Sequence, residues 1–193
     1  MSTSVKILAL AGSLRAESFN KKLVRIAVKG AEKAGAAVTL VDLRDLPLPI
    51  YDGDLEAASG IPENGKKLKR LFIDHAGLMI ASPEYNSSVT ALLKNTIDWV
   101  SRPEPNEAPL AAFTGKVAAI MSASPGALGG LRGLVHLRAI LGNIGTLVLP
   151  RQLAISRAND AFAADGTLKD PQQQAGIDML AAELARVVGK LHG

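Results

Sequence analysis

The chain has 193 residues, 48% of them hydrophobic and 21% charged, a balance that fits one folded domain of ordinary size and excludes a disordered chain. It contains no cysteine, which excludes disulfides, thiolate metal sites and thiol catalysis, and His75, His136 and His192 lie in no metal-ligand spacing. The net charge of +4 comes from scattered basic residues; the one local cluster, Lys66-Lys67 with Lys69-Arg70, lacks interleaved aromatics and reads as a solvated helix face, not a nucleic-acid site.

Residues 5–11 (VKILALA) form a nearly continuous apolar run, the mark of a strand buried on both faces. After a polar loop, residues 20–34 set Leu23, Ile26, Ala27, Gly30, Ala31 and Ala34 at helical spacing, and Gly35 ends that helix as a left-handed cap. A second strand is predicted at 38–43 (VTLVDL). Pro47, Pro49 and Gly53 then mark an extended loop without regular structure over 46–55. A helix over 62–75 turns Leu68, Leu71 and Phe72 inward, and 77–81 is a third buried strand.

The helix predicted over 89–101 carries Val89, Leu92, Leu93, Thr96, Ile97, Trp99 and Val100 over a wider arc than one core-facing stripe needs. It is therefore either deeply buried or partly in contact with another subunit, and Trp99 reads as core. Residues 116–122 (KVAAIMS) make a fourth strand, and the Gly-rich 126–130 segment leads into a helix over 131–141 in which His136 reads as a packed histidine. Residues 146–155 supply a fifth strand interrupted near Pro150. Asp170-Pro171 is a capping pair for a last amphipathic helix with Ile177, Leu180, Ala181, Leu184, Val188 and Leu191 on one face.

Five strands alternating with helices predict an α/β fold, a single domain over 1–193 with a parallel sheet covered on both faces. No stretch reaches the length of a membrane span, and the apolar run 7–12 is too short for a signal peptide, so a soluble cytoplasmic protein without a membrane partner is expected. In open parallel sheets ligands sit beyond the carboxyl ends of the strands, where strand order reverses. That directs attention to the loops after the first, third and fourth strands.

The first of these, GSLRAESFN (12–20), has neither the dinucleotide glycine pattern nor a Walker P-loop. It offers a helix N-terminus with free N–H groups, hydroxyls at Ser13 and Ser18, an amide at Asn20 and a cation at Arg15, a set suited to a phosphate. Ser18 or Asn20 acting only as a helix cap is the other reading. In the second, SPEYNSS (82–88), Pro83 forces Ser82 extended and so presents Glu84, Tyr85 and Asn86 at a defined place. Tyr85 can lie against a flat ligand, and Asn86 with the N–H groups of 84–87 can meet polar atoms on a ring edge. A plain strand-to-helix turn with an Asn cap is the alternative. The third loop, SASPG (122–126) with Gly129-Gly130, permits close backbone approach and adds the Ser124 hydroxyl. A phosphate pocket beside two ring-facing loops describes FMN at a flavodoxin-type switch point.

GSLRAESFN, SPEYNSSVTALLKNTIDW and SASPG together resemble the NADPH-dependent FMN reductase family, with its quinone, azo-dye and chromate reductases, in consistent order over residues 5–150. The resemblance implies a flavodoxin-like fold of strand order 2-1-3-4-5, bound FMN, NAD(P)H as co-substrate, and dimers or tetramers. It carries Ser13, Arg15, Ser18 and Asn20 over as phosphate-site residues, and Glu84, Tyr85, Asn86 and Ser87 with Ser124 as ring-side residues. The chain departs from the family at Thr90-Ala91, where many relatives have proline and glycine.

The activity so implied is ping-pong transfer of two electrons, from NAD(P)H through flavin N5 to quinones, azo compounds, free flavin or oxyanions such as chromate. The flavin carries the chemistry, and no catalytic side chain is needed or found. The rivals are a flavodoxin-type electron carrier without NAD(P)H turnover, and a non-redox nucleotide-binding regulator of the same fold.

Overall fold

The apolar run Lys6–Ala11 forms β1, the centre from which the sheet grows in both directions. The structure, a computed structural model, describes residues 4–192. β1 pairs in parallel with β2 (Ala37–Val41) on one side and with β3 (Gly77–Ala81) on the other, Leu8 lying opposite both Thr39 and Leu78. β3 pairs in turn with β4 (Val117–Ala123), Met79 opposite Ala119. The predicted fifth strand is two short pieces, β5 (Leu147–Val148) and β6 (Leu153–Ile155), which pair with successive stretches of β4. Pro150 between them has no N–H to give the ladder, so the strand breaks where the sequence predicts an interruption. The order is β2-β1-β3-β4-β5 with β6 also on β4, the doubly wound, flavodoxin-like arrangement.

Side chains alternate across this sheet. Ile7, Ala9 and Ala11 face a layer made by α1 (Phe19–Lys33) and α7 (Pro171–His192); Leu8 and Leu10 face α3 (Glu63–Asp74), α4 (Ala91–Val100) and α5 (Leu131–Asn143). The first face is rich in alanine, with Ala81, Ala119 and Ala123 joining Ala9 and Ala11, so α1 can lie close to the strand ends it must serve. Asp170 caps α7 by accepting the Gln172 N–H at 2.8 Å. No helix among the described residues is long and apolar enough to cross a membrane.

Three expectations are corrected, and one further helix is found. The 46–55 segment is not wholly irregular, because Gly53–Ser59 forms a short helix, α2, capped by Asp52 through the Asp54 N–H at 2.8 Å. It has no buried residue, so no apolar periodicity announced it. A four-residue helix, α6 (Ala158–Ala161), was also unread. His136 is exposed and not packed: Leu134, Leu137 and Leu141 take the inward stripe of α5, which leaves His136 outside with Nδ1 2.9 Å from Ser88 Oγ. Lys69, assigned to a solvated face, is 2% exposed and pairs with Glu107 while donating to the Arg102 carbonyl, tying α3 to the 101–115 segment.

For α4, burial within the chain accounts for Trp99, which is fully enclosed. The 46–56 segment lies over this helix. Pro49 O accepts from both Trp99 Nε1 and Asn95 Nδ2 at 2.8 Å, and Tyr51 packs edge-on to the indole at 5.0 Å.

Candidate active site

β1 and β3 end opposite each other at Ala11 and Ala81, and β4 runs past Met121, the partner of Ala81, to Ala123, so three loops leave the sheet along one rim. The ladder continues one step beyond the strands, with Gly12 N–H bonded to Ala81 O and Ser82 N–H to Met121 O, both at 2.9 Å. This fixes where each loop starts. A cleft of ≈ 110 Å³ opens between them.

Its first wall is the start of α1. Ser18 occupies the N-cap in extended conformation, φ −74° and ψ 128°, yet its hydroxyl does not bond back to the helix. The first turn carries no acidic residue. Unpaired N–H groups and the positive end of the helix dipole therefore face the cleft without a competing carboxylate. Ser13 is buried beside them and accepts the Arg15 N–H at 3.3 Å, and Arg15, an exposed residue, also lines the cleft. Asn20 lines the same wall, but its amide is engaged on both ends by the main chain of Ala123.

The loop after β3 forms the second wall. Pro83 is buried, and the chain then doubles back in a tight turn, Tyr85 and Ser88 exchanging N–H···O bonds of 3.0 and 3.1 Å. Asn86 and Ser87 hold its two central positions with φ of 51° and 65°, the left-handed pair a type I′ turn requires. Tyr85 is thereby held out, 53% exposed, at the cleft edge. Asn86 and Ser87 shape the turn and do not line the cleft; Pro83, Glu84 and Tyr85 do.

Glu84 points to α5. Its carboxylate accepts Arg132 Nε at 2.8 Å and the Gly133 N–H at 3.1 Å, near the positive end of that helix. Burial pushes this carboxyl up, but the hydrogen bonds from Arg132 and the Gly133 N–H, with the Arg132 charge, outweigh it and hold it below its ordinary value. Gly133 makes the approach possible, since a Cβ there would lie 3.1 Å from Ser88 O and 3.3 Å from Glu84 Cβ.

Ser124 and Pro125 supply the third wall. Gly129 and Gly130 behind them have φ of 62° and 94°; a Cβ on the second would overlap the Ser122 hydroxyl, and one on the first would reach 2.7 Å from Ile155 C. No other residue type fits that corner.

Thr90, at the departure from the family pattern, is the N-cap of α4: its hydroxyl accepts the Leu93 N–H at 3.2 Å and donates to Gly12 O at 2.9 Å. One side chain thus starts α4 and ties it to the first loop. Of the ten residues singled out in the sequence, Ser13, Arg15, Ser18, Asn20, Pro83, Glu84, Tyr85 and Ser124 share the cleft. Phe19, Ala123 and Pro125 line it as well and were not singled out, although all three lie within or beside the quoted motifs. Arg132 carried no local signal.

The sequence profile of the NADPH-dependent FMN reductases matches residues 5–160. An NAD(P)H-dependent FMN reductase of Pseudomonas aeruginosa is 36% identical over the full length of both chains. A quinone reductase of Escherichia coli K12 is 38% identical over 77% of this chain and 76% of its own. Among solved structures, the NAD(P)H:(acceptor) oxidoreductase FerB of Paracoccus denitrificans superposes with a TM-score of 0.81 at 29% identity, over 97% of this chain and 98% of that one. With three loop motifs gathered on one rim and a family profile matched over most of the length, the chain belongs to the NADPH-dependent FMN reductase family.

Proposed function

We propose that this protein is an NAD(P)H-dependent oxidoreductase that holds FMN in the rim cleft and reduces quinones and related small acceptors. The observation that carries the reading is the convergence of an acid-free helix N-terminus with an exposed tyrosine and a Ser-Pro-Gly loop in one cleft. The donor set fits the cofactor. Ser13 and Ser18 hydroxyls, the N–H groups of the first α1 turn and Arg15 would take the phosphate, and Asn20 would set the spacing of that wall. Tyr85, Pro83 and Ser124 would flank the ring, with Glu84 and the Asn86-Ser87 turn holding Tyr85 in place.

FMN, when bound, supplies the hydride-accepting and electron-donating chemistry. The chain supplies orientation and charge. Arg15 and loop N–H groups favour negative charge at the cofactor, and the net charge of +4 attracts NAD(P)H and anionic acceptors. With Tyr85 at the cleft edge, a ring held there would keep one face open, so that donor and acceptor would use that face in turn, as a ping-pong enzyme requires. Azo compounds and chromate are further acceptors of this proposal. Assembly into a dimer or tetramer and a cytoplasmic location belong to the same proposal.

The test is the visible spectrum of the purified protein followed by steady-state NAD(P)H oxidation with a quinone. Bound flavin and parallel-line kinetics are expected. Flavin without turnover would point to the electron carrier instead, and a colourless protein that takes up no FMN would remove the reading altogether.

A further inference from the structure

A groove of ≈ 470 Å³ runs along the outer face of α1, bounded opposite by the 163–167 turn and the start of α7. Its volume falls in the range of about 300–1,000 Å³ typical of small-molecule sites. It shares no lining residue with the cofactor cleft.

Lys22, Arg25, Lys29 and Lys33 line one wall. Their spacings of three and four residues keep them on one face of α1, so the row of cations is about 16 Å long at 1.5 Å per residue. Lys22 pairs with Glu17 at 3.2 Å, but Arg25, Lys29 and Lys33 take part in no ion pair among the described residues. Two carboxylates face them, and both are engaged. Asp165 accepts the Thr167 N–H and hydroxyl at 3.0 and 2.6 Å, and Asp178 accepts Gln174 Nε2 at 3.2 Å. With Glu17 held by Lys22 counted beside the two facing carboxylates, the four cations leave the groove positive by one.

Its floor is apolar. Ile26, Ala163 and Ala164 line it, together with Gly30, where α1 and α7 approach so closely that a Cβ would lie 3.1 Å from Asp178 Cα. A helix face that merely needed solubility would be served by lysines paired with acids along the same helix. Here the unpaired cations instead border a concave, apolar-floored space.

We propose that this groove is a second anion site, which takes an organic phosphate of nucleotide size. Arg25 would engage phosphate oxygens as a fork and Lys29 and Lys33 as point charges, with the apolar part of the ligand against Ile26 and the 163–164 segment.

The test titrates the FMN-loaded protein with ADP, adenosine and inorganic pyrophosphate by calorimetry, at low ionic strength and at about 0.15 M salt. ADP is expected to saturate one site per chain, more weakly at the higher salt, with adenosine not binding and pyrophosphate binding less well. An Arg25→Glu, Lys29→Glu variant should bind ADP about tenfold more weakly or worse, with FMN affinity unchanged because neither residue touches the cofactor cleft. Absence of saturable ADP binding, or equal binding in the variant, would overturn the site. Pyrophosphate binding as tightly as ADP would overturn the role of the apolar floor and with it the nucleotide-sized ligand.

Discussion

Asn20 and Ala123, 103 residues apart, hold each other through two hydrogen bonds: Asn20 Nδ2 donates to Ala123 O at 2.8 Å, and Ala123 N–H donates to Asn20 Oδ1 at 2.9 Å. The amide therefore sets the distance between the start of α1 and the end of β4. Asn20→Ala would leave two buried main-chain groups without partners, and a loss of about 2–4 kcal/mol in urea unfolding is expected. Binding distinguishes the two roles this residue could have. As a clamp it acts on the whole cleft, so affinities for FMN and riboflavin should fall by the same factor; a loss confined to FMN would make Asn20 a phosphate ligand.

Glu84 and Arg132 latch the tyrosine loop to α5, and the latch carries a pH dependence. The Glu84 carboxyl is held below its ordinary value of 4.5 in the folded chain, so its contribution is fully present above that value and is lost as pH falls through the lowered one. Flavin release monitored by fluorescence should rise on acidification below about pH 4.5. In Glu84→Gln the acid-dependent component tied to this residue should be absent, with weaker FMN binding already at neutral pH. Identical acid profiles for the two proteins would dismiss the latch.

The turn that presents Tyr85 makes opposite demands at neighbouring positions. Ser87, at φ 65°, is strained in a way glycine is not. Ser87→Gly should leave stability equal or raise it by up to about 1 kcal/mol, whereas Ser87→Val should cost about 1–2 kcal/mol. Thermal unfolding in the reverse order would refute the type I′ geometry. Tyr85→Ala, at an exposed side chain, should change stability by no more than about 0.5 kcal/mol while lowering FMN affinity. Unchanged affinity and turnover would remove Tyr85 from the site.

Thr90 joins helix start to loop anchor, so its loss should be felt twice. Thr90→Ala is expected to destabilise by about 1–2 kcal/mol, because the Leu93 N–H and the Gly12 carbonyl both lose their side-chain partner. Thr90→Ser keeps both bonds and should restore most of that stability together with FMN affinity. Failure of serine to rescue would mean that the methyl group, and not the hydroxyl, matters at this position.

Much of this architecture was legible without coordinates. The runs at 5–11 and 77–81 read as strands buried on both faces because, apart from Lys6 at the start of the first, nothing polar interrupts them, and Asp170-Pro171 marked the last helix through local capping chemistry. α2 was not legible. It has no apolar stripe to read, because none of its residues is buried, and of the two side chains that hold Glu56 at 2.8 Å, Tyr51 Oη and Arg102 Nε, the second lies 46 residues away. His136 and Lys69 misled for the same reason. A residue's position on a helix was readable, but what packed opposite that position was not.

The sequence by itself determined the order of the strands and of the long helices, the three loops to inspect for a site, and the residue types able to meet a phosphate and a flat ring. These follow from periodicity and backbone stereochemistry, which act over a few residues. Only the tertiary structure decided how those residues divide the work. Asn20 faces Ala123, Glu84 turns to Arg132, and Asn86 and Ser87 bend the chain so that Tyr85 stands at the cleft edge. Read from the sequence alone, Asn20 and Glu84 each had free hydrogen-bonding capacity. Packing determined which partner lay within 3 Å of each.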